Sequence, residues 1–105
     1  MKTYFKIIDF EDGKIKTLFH GVGGTRILLR QKWIDADIKM VSNGTGGIEY
    51  KSGFHLFKTR MEAVDYLKYF TNIKNKRIIS CKAKNLRKKT HSRNDVFLAA
   101  SIYIS

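Results

Sequence analysis

The sequence lacks several features that define common protein classes. It contains no proline and one cysteine, Cys81, among 105 residues. A lone cysteine excludes a disulfide framework and a cysteine-based zinc knuckle, and it favours a reducing, cytoplasmic environment. No apolar run approaches the ~20 residues that a membrane-spanning helix needs, so no membrane partner is expected. The length predicts one domain, residues 1–105, with a single hydrophobic core.

Acidic residues are also scarce, and the resulting charge is uneven. Nine Asp and Glu stand against 21 Lys and Arg, which gives a formal net charge of +12. Residues 1–70 contain 12 basic and 8 acidic residues, a net charge of +4, whereas residues 71–105 contain 9 basic residues and one acid, Asp95, a net charge of +8. A solubilising surface would explain a scattered excess, but an excess at one end favours an anionic partner.

The basic stretch 74–93 is the candidate binding surface. Lysine and arginine neutralise phosphates and release counterions, and neutral donors such as Asn85 and Thr90 contact phosphate and sugar. We therefore expect binding to nucleic acid or to a nucleoprotein, such as a nuclease loaded with nucleic acid, with DNA and RNA both left open. The predicted contact residues are Lys82, Lys84, Arg87, Lys88, Lys89, His91 and Arg93.

Turn and strand signals dominate the first half of the chain. Asp12-Gly13 predicts a hairpin between strands at 3–10 and 14–20. A glycine-rich turn precedes a predicted strand at 48–57, in which Gly53 indicates a bulge or a close backbone approach.

Two helices are expected. Thr59 and Glu62 fit the T-x-x-E capping box, which predicts a helix at about 60–70. A second, short helix is expected at about 25–33, with a strand at 26–30 as the alternative. The apolar stripe expected to pack the first helix on the sheet is Met61, Ala63, Val64, Leu67 and Phe70.

The last third of the chain alternates again. In a predicted strand at 77–85, Ile79, Cys81 and Ala83 point inward while Lys82 and Lys84 point outward. Residues 86–94 are predicted to be a basic loop. The final strand, 96–104, is apolar on both faces, which is typical of a central position in a sheet. The predicted fold class is α+β, a twisted and mainly antiparallel sheet with the two helices described above.

Aromatic and histidine side chains provide further candidates. Tyr50, Tyr66, Tyr69 and Trp33 could stack on bases, although core packing is the alternative for each. The three histidines have no Cys, Asp or Glu at metal-ligand spacing, so neither a metal nor a cofactor is predicted.

One segment suggests an enzymatic alternative. A strand ending in Leu-Phe-His-Gly, a short helix, and a Gly-Phe-His-Leu-Phe strand before a helix resemble the ADP-ribosyltransferase pattern over residues 18–66. The RNA 2′-phosphotransferase branch, which uses His and Arg, is the more permissive comparison. The resemblance implies a small ADP-ribosyltransferase-like or RNA-modifying enzyme with His20, Arg26 and His55 at its site.

The sequence departs from that pattern at the reacting positions. Val22 occupies the position of the family's threonine, and His55 occupies that of the tyrosine that stacks on nicotinamide. No glutamate is present in the final strands. We therefore expect a binding protein and not an enzyme.

A second resemblance is carried by two segments of the chain. The Tyr-x-Ser-Gly-Phe-His segment at 50–55 and the Arg-Lys-Lys-x-His-Ser-Arg run at 87–93 are similar to small basic proteins of phages and mobile elements. By analogy, this resemblance implies a non-enzymatic protein that engages nucleic acid or a nucleic-acid-processing complex. Inhibitors of host defence nucleases, such as anti-CRISPR proteins, are one such class.

Overall fold

A computed structural model describes residues 2–17, 27–36, 40–42, 49–51, 53–70, 73–88 and 96–105. These ranges contain nine strands and one helix. In chain order they are β1 (Tyr4–Glu11), β2 (Lys14–Lys16), β3 (Ile27–Leu28), β4 (Trp33–Asp35), β5 (Met40–Ser42), β6 (Glu49–Lys51), β7 (Phe54–Leu56), α1 (Arg60–Leu67), β8 (Lys76–Lys88) and β9 (Phe97–Tyr103).

The main sheet curves until its edges nearly meet. β8 pairs with β1 along residues 76–81 and with β9 along residues 82–88. The far edge of β9 pairs with β7 at one end and with β4 at the other. Directly after β7, Phe57 and Phe5 of β1 exchange two backbone hydrogen bonds of 2.7 and 2.8 Å. The sheet is therefore nearly closed into a barrel.

The predicted α+β class with two helices is wrong, because the described residues are mostly strand and contain one short helix. The second helix predicted at 25–33 is replaced over its described part by β3, a bend and β4. Leu28 is buried between exposed Ile27 and Leu29, which is the two-residue period of a strand. In addition, Gln31 has a φ of 62°, which a right-handed helix does not allow.

The first helix begins where its capping pattern predicts. The Thr59 hydroxyl accepts a hydrogen bond from the Glu62 amide at 3.1 Å. The predicted end at about residue 70 is three residues too late, since α1 ends at Leu67. Within the described ranges no helix is long and apolar enough to cross a lipid bilayer.

The packing face of α1 differs from the predicted stripe. The side chains that pack against the outer face of β1 are Ala63, Tyr66, Leu67 and Phe70, spaced i, i+3, i+4 and i+7. The predicted packing of Met61 and Val64 is wrong, because these side chains are 75% and 45% exposed. The helix turns the stripe centred on Ala63 toward the sheet, and this rotates Met61 and Val64 toward solvent.

Two glycine predictions are confirmed. Asp12 and Gly13 have φ values of 52° and 72°, as a type I′ hairpin turn between β1 and β2 requires. A Cβ on Gly53 would lie 2.9 Å from the Ala99 carbonyl oxygen, so this glycine does mark a close backbone approach. The predicted strand at 48–57 is instead two strands, because β6 pairs with β5 while β7 pairs with β9.

The final strand lies inside the sheet, as predicted from its apolar faces. β9 is bordered by β8 on one side and by β4 and β7 on the other. Its Leu98, Ala99 and Ile102 are buried. β8 runs three residues beyond the predicted 77–85, because residues 86–88 pair with residues 97–99 of β9.

The barrel interior contains a lysine that the sequence analysis did not single out. Lys6 shares a face of β1 with Tyr4 and Ile8 and is 4% exposed. Its Nζ donates a hydrogen bond to the His55 carbonyl at 3.3 Å and lies 5.5 Å from the Phe54 ring centroid. Burial lowers the pKa of Lys6 from 10.5 to about 8, against a smaller opposing effect of Cys81.

This buried lysine makes the stability of the fold depend on pH. Between pH 8 and 10.5 the unfolded chain keeps a proton on Lys6 that the native state has lost, so stability rises with pH. Over the whole window the free energy of unfolding should rise by about 3 kcal/mol, and from pH 8 to 9 it should rise by about 1 kcal/mol. Substitution of Lys6 by Met should remove the rise between pH 8 and pH 9, as measured by urea denaturation at these two pH values.

The comparison is restricted to pH 8–9 because of the neighbouring thiol. Burial raises the pKa of Cys81 to about 11, so that above pH 9 the native state holds a proton that the unfolded chain releases. This effect lowers stability with pH and opposes that of Lys6. Equal changes in wild type and Lys6→Met from pH 8 to 9 would show that Lys6 does not lose its proton in the native barrel.

Candidate nucleic-acid interface

Four predicted contact residues lie on β8. Lys82 and Lys84 are exposed on the strand, as predicted. The predicted loop at 86–94 is wrong at its start, because Arg87 and Lys88 continue β8 and pair with Leu98 and Phe97. The remaining predicted contact residues lie outside the described part of the chain; they are Lys89, His91 and Arg93.

Strands β8, β9 and β4 form a three-stranded ribbon whose register brings polar and aromatic residues together. In one row Lys82 lies opposite Tyr103, which lies opposite Trp33. In the next polar row Lys84 lies opposite Ser101, which lies opposite Asp35. We call the outer surface formed by these two rows the Trp33 face; its residues are Trp33, Asp35, Lys82, Lys84, Ser101 and Tyr103.

The row between these two points into the barrel. Ala83, Ile102 and Ile34 are paired across the same strands, and all three belong to the interior cluster. Because side chains alternate along a strand, their inward direction fixes the outward direction of both neighbouring rows. The Trp33 face is therefore the solvent side of a ribbon whose other side is core.

The aromatic rings of this face lie beside its lysines. The Trp33 and Tyr103 ring centroids are 5.7 Å apart, with an interplanar angle of 50°. The Lys84 Nζ lies 4.0 Å from the Trp33 ring centroid, and the Lys82 Nζ lies 6.0 Å from that of Tyr103. Both rings are half-buried and both lysines are exposed. The arrangement places cations and π surfaces within reach of one ligand.

The lysine–aromatic contacts are weak enough to be exchanged. An exposed cation–π contact contributes about 0.5–1 kcal/mol. Stacking of a nucleic-acid base on an aromatic side chain contributes about 1–3 kcal/mol. A base could therefore replace Lys84 over Trp33, and the released ammonium group could then bind a phosphate.

Charge varies across the Trp33 face. The two cations lie on β8, whereas the carboxylate of Asp35 lies on β4. The Ser101 hydroxyl donates a 2.6 Å hydrogen bond to the Asp35 Oδ1, which holds that carboxylate in place. A bound polyanion would thus meet attraction over β8 and repulsion at the Asp35 end of β4.

Another lysine–aromatic contact lies at the opposite end of β9. The Lys58 Nζ is 5.0 Å from the Phe97 ring centroid, and Lys88 pairs with Phe97 across the strands. Phe97 and Tyr103 are six residues apart along β9, a distance of about 20 Å in an extended strand. Lysines therefore border aromatic rings at both ends of the β8–β9 pair.

The other aromatic candidates lie elsewhere. Tyr66 packs against Phe57 with ring centroids 5.1 Å apart, which matches the core alternative. Tyr69 is exposed beyond the end of α1 and is not part of the Trp33 face. Tyr50 lies on β6, but its side chain is outside the described part. Tyr103 was not among the predicted stacking residues, since only the strand register shows that it adjoins Trp33.

Of the three residues of the alternative enzymatic site, one lies in the described part of the chain. His55 is on β7, opposite Leu98, and its carbonyl accepts the hydrogen bond from Lys6. His20 and Arg26 lie outside the described residues. No distance between these groups supports a catalytic arrangement.

Comparison with known proteins adds no relative to this picture. No protein-family model, curated protein or solved structure matches the chain. The resemblances to ADP-ribosyltransferases and to phage proteins therefore stay predictions.

The two sides of the ribbon should differ sharply in their effect on stability. Ile102 is 0% exposed, so Ile102→Ala should cost about 2–5 kcal/mol in the free energy of unfolding. The double variant Lys82→Gln, Lys84→Gln should cost no more than about 2 kcal/mol, because exposed charges and cation–π contacts contribute little. Urea denaturation measures both, and a larger loss in the lysine variant would contradict the outward placement.

Proposed function

We propose that the protein binds nucleic acid, alone or within a nucleoprotein, through the basic surface of residues 74–93, and that it does so without catalysis. The observation that carries the proposal is the placement of Lys82 and Lys84. Both are exposed on the half of β8 that pairs with β9, next to Trp33 and Tyr103. Cations on a rigid support bind phosphates without a large ordering cost.

Not every cation of β8 contributes equally to this surface. The Lys76 Nζ lies 2.8 Å from the Asp9 carboxylate and packs over the Phe70 ring, so its charge is neutralised locally. Arg77 donates hydrogen bonds to the backbone carbonyls of Lys74 and Lys76. Within the proposed surface, the phosphate contacts on β8 are therefore centred on residues 82–88, where the strand has no acidic residue.

The proposal is tested by the salt dependence of binding. Each lost phosphate contact should lower the slope of log affinity against log salt by about 0.7–0.9, so Lys82→Gln with Lys84→Gln should lower it by about 1.4–1.8. The matched control is Lys14→Gln with Lys68→Gln, which removes the same charge from β2 and from the end of α1. Fluorescence anisotropy of a labelled oligonucleotide, over a series of salt concentrations, gives both slopes.

The control variant distinguishes binding at a defined site from attraction by the overall charge of the protein. The control variant should keep the wild-type slope, because its lysines lie on β2 and at the end of α1, outside the 82–88 segment of β8. An equal decrease of the salt slope in the two variants would show that binding depends only on the net charge of the protein, and this would overturn the proposal. A pull-down with and without nuclease treatment then tests whether the partner is nucleic acid itself or a nuclease that the protein inhibits, as anti-CRISPR proteins do.

A further inference from the structure

We infer that Trp33 and Tyr103 form a stacking platform for unpaired bases, so that the nucleic acid bound is single-stranded. This inference rests on the proposed function and specifies its ligand. It starts from three facts about the Trp33 face: two adjacent aromatic rings, cations on one side of them, and a carboxylate on the same strand as Trp33.

The position of the rings leaves room for bases. Both rings stand on the outer face, on a support of core residues, and are partly exposed. In the described part of the sheet, β4 is the last strand on its path and pairs only with β9. A base stacked on Trp33 can therefore extend over the β4 edge without meeting a neighbouring described strand.

The charge pattern orients the ligand. Phosphates are attracted to Lys82 and Lys84 on β8, whereas Asp35 disfavours a phosphate at its end of β4. A single strand satisfies this pattern, because its phosphates can follow β8 while its bases turn toward β4 and stack. A duplex keeps its bases paired inside and presents phosphates on both strands, so it cannot offer the rings an unpaired base.

Lys84 provides the link between the two parts of the ligand. Its Nζ lies over Trp33, 4.0 Å from the ring centroid. A base that takes this position displaces the ammonium group, which is then available to the neighbouring phosphate. Binding should therefore change the surroundings of Trp33 directly.

This change can be measured, because Trp33 is the only tryptophan in the chain. Its fluorescence should be quenched by an oligodeoxythymidine single strand, and less by a duplex of equal length. Inorganic polyphosphate, which has charge but no bases, should compete for the lysines without the same quenching. Anisotropy of the labelled single strand gives the affinity in parallel.

Variants separate stacking from charge. Trp33→Leu and Tyr103→Leu should each weaken single-strand binding by about 5- to 150-fold, while the salt slope keeps its wild-type value because no phosphate contact is lost. Tyr103→Phe retains the ring and should bind nearly as wild type. Tyr69→Leu, which removes an exposed ring beyond α1, should have no effect, and thermal midpoints check that each variant is folded.

The outcomes distinguish this inference from the proposed function. If no nucleic acid binds, both fail. Three results together would refute the stacking platform and leave phosphate binding standing. Single strand and duplex would bind with equal affinity, Trp33 emission would not change, and Tyr103→Leu would bind as tightly as Tyr103→Phe. Quenching by the single strand, together with a loss in Tyr103→Leu that Tyr103→Phe does not show, supports the platform.

Discussion

The pairing of β8 with two strands in succession, β1 and then β9, is the constraint on which the rest of the fold depends. Its 13 residues bind β1 with their first half and β9 with their second half. β9 in turn holds β7 and β4, and the residue after β7 reaches back to β1 through the hydrogen bonds between Phe57 and Phe5. One strand thus connects the closure of the barrel to the surface that we propose binds nucleic acid.

Because of this connection, the strand register sets the core and the candidate site together. Ile102 points inward and Tyr103 outward on β9, and their partners Ile34 and Trp33 do the same on β4. A slip of one residue would exchange the two faces, placing aromatic rings and lysines in the core. The burial of Ile102 and Ile34 therefore stabilises the arrangement that exposes Tyr103 and Trp33.

The parts of the fold that the sequence predicts are those fixed by neighbouring residues. The Asp12-Gly13 turn, the Thr59 cap and the outward direction of Lys82 and Lys84 depend on backbone preference and alternation within a few positions. The placement of Trp33 depends on a partner 70 residues away in the chain, Tyr103. The spacing of apolar residues within a short segment does not reveal which distant strand the segment pairs with. The apolar run near Trp33 was therefore as compatible with a helix as with a strand.

Net charge alone would overstate the size of the binding surface. Lys6 contributes to the total of +12 but lies inside the barrel, and Lys76 is paired with Asp9. The cations of the proposed surface are those on the outer side of β8, and among the described residues Lys82 and Lys84 also adjoin aromatic rings on the Trp33 face. Neither ammonium groups nor ring faces read the edges of bases, so a site built from them binds different sequences with similar affinity. The proposed complex would therefore recognise a single strand as such and not a particular sequence.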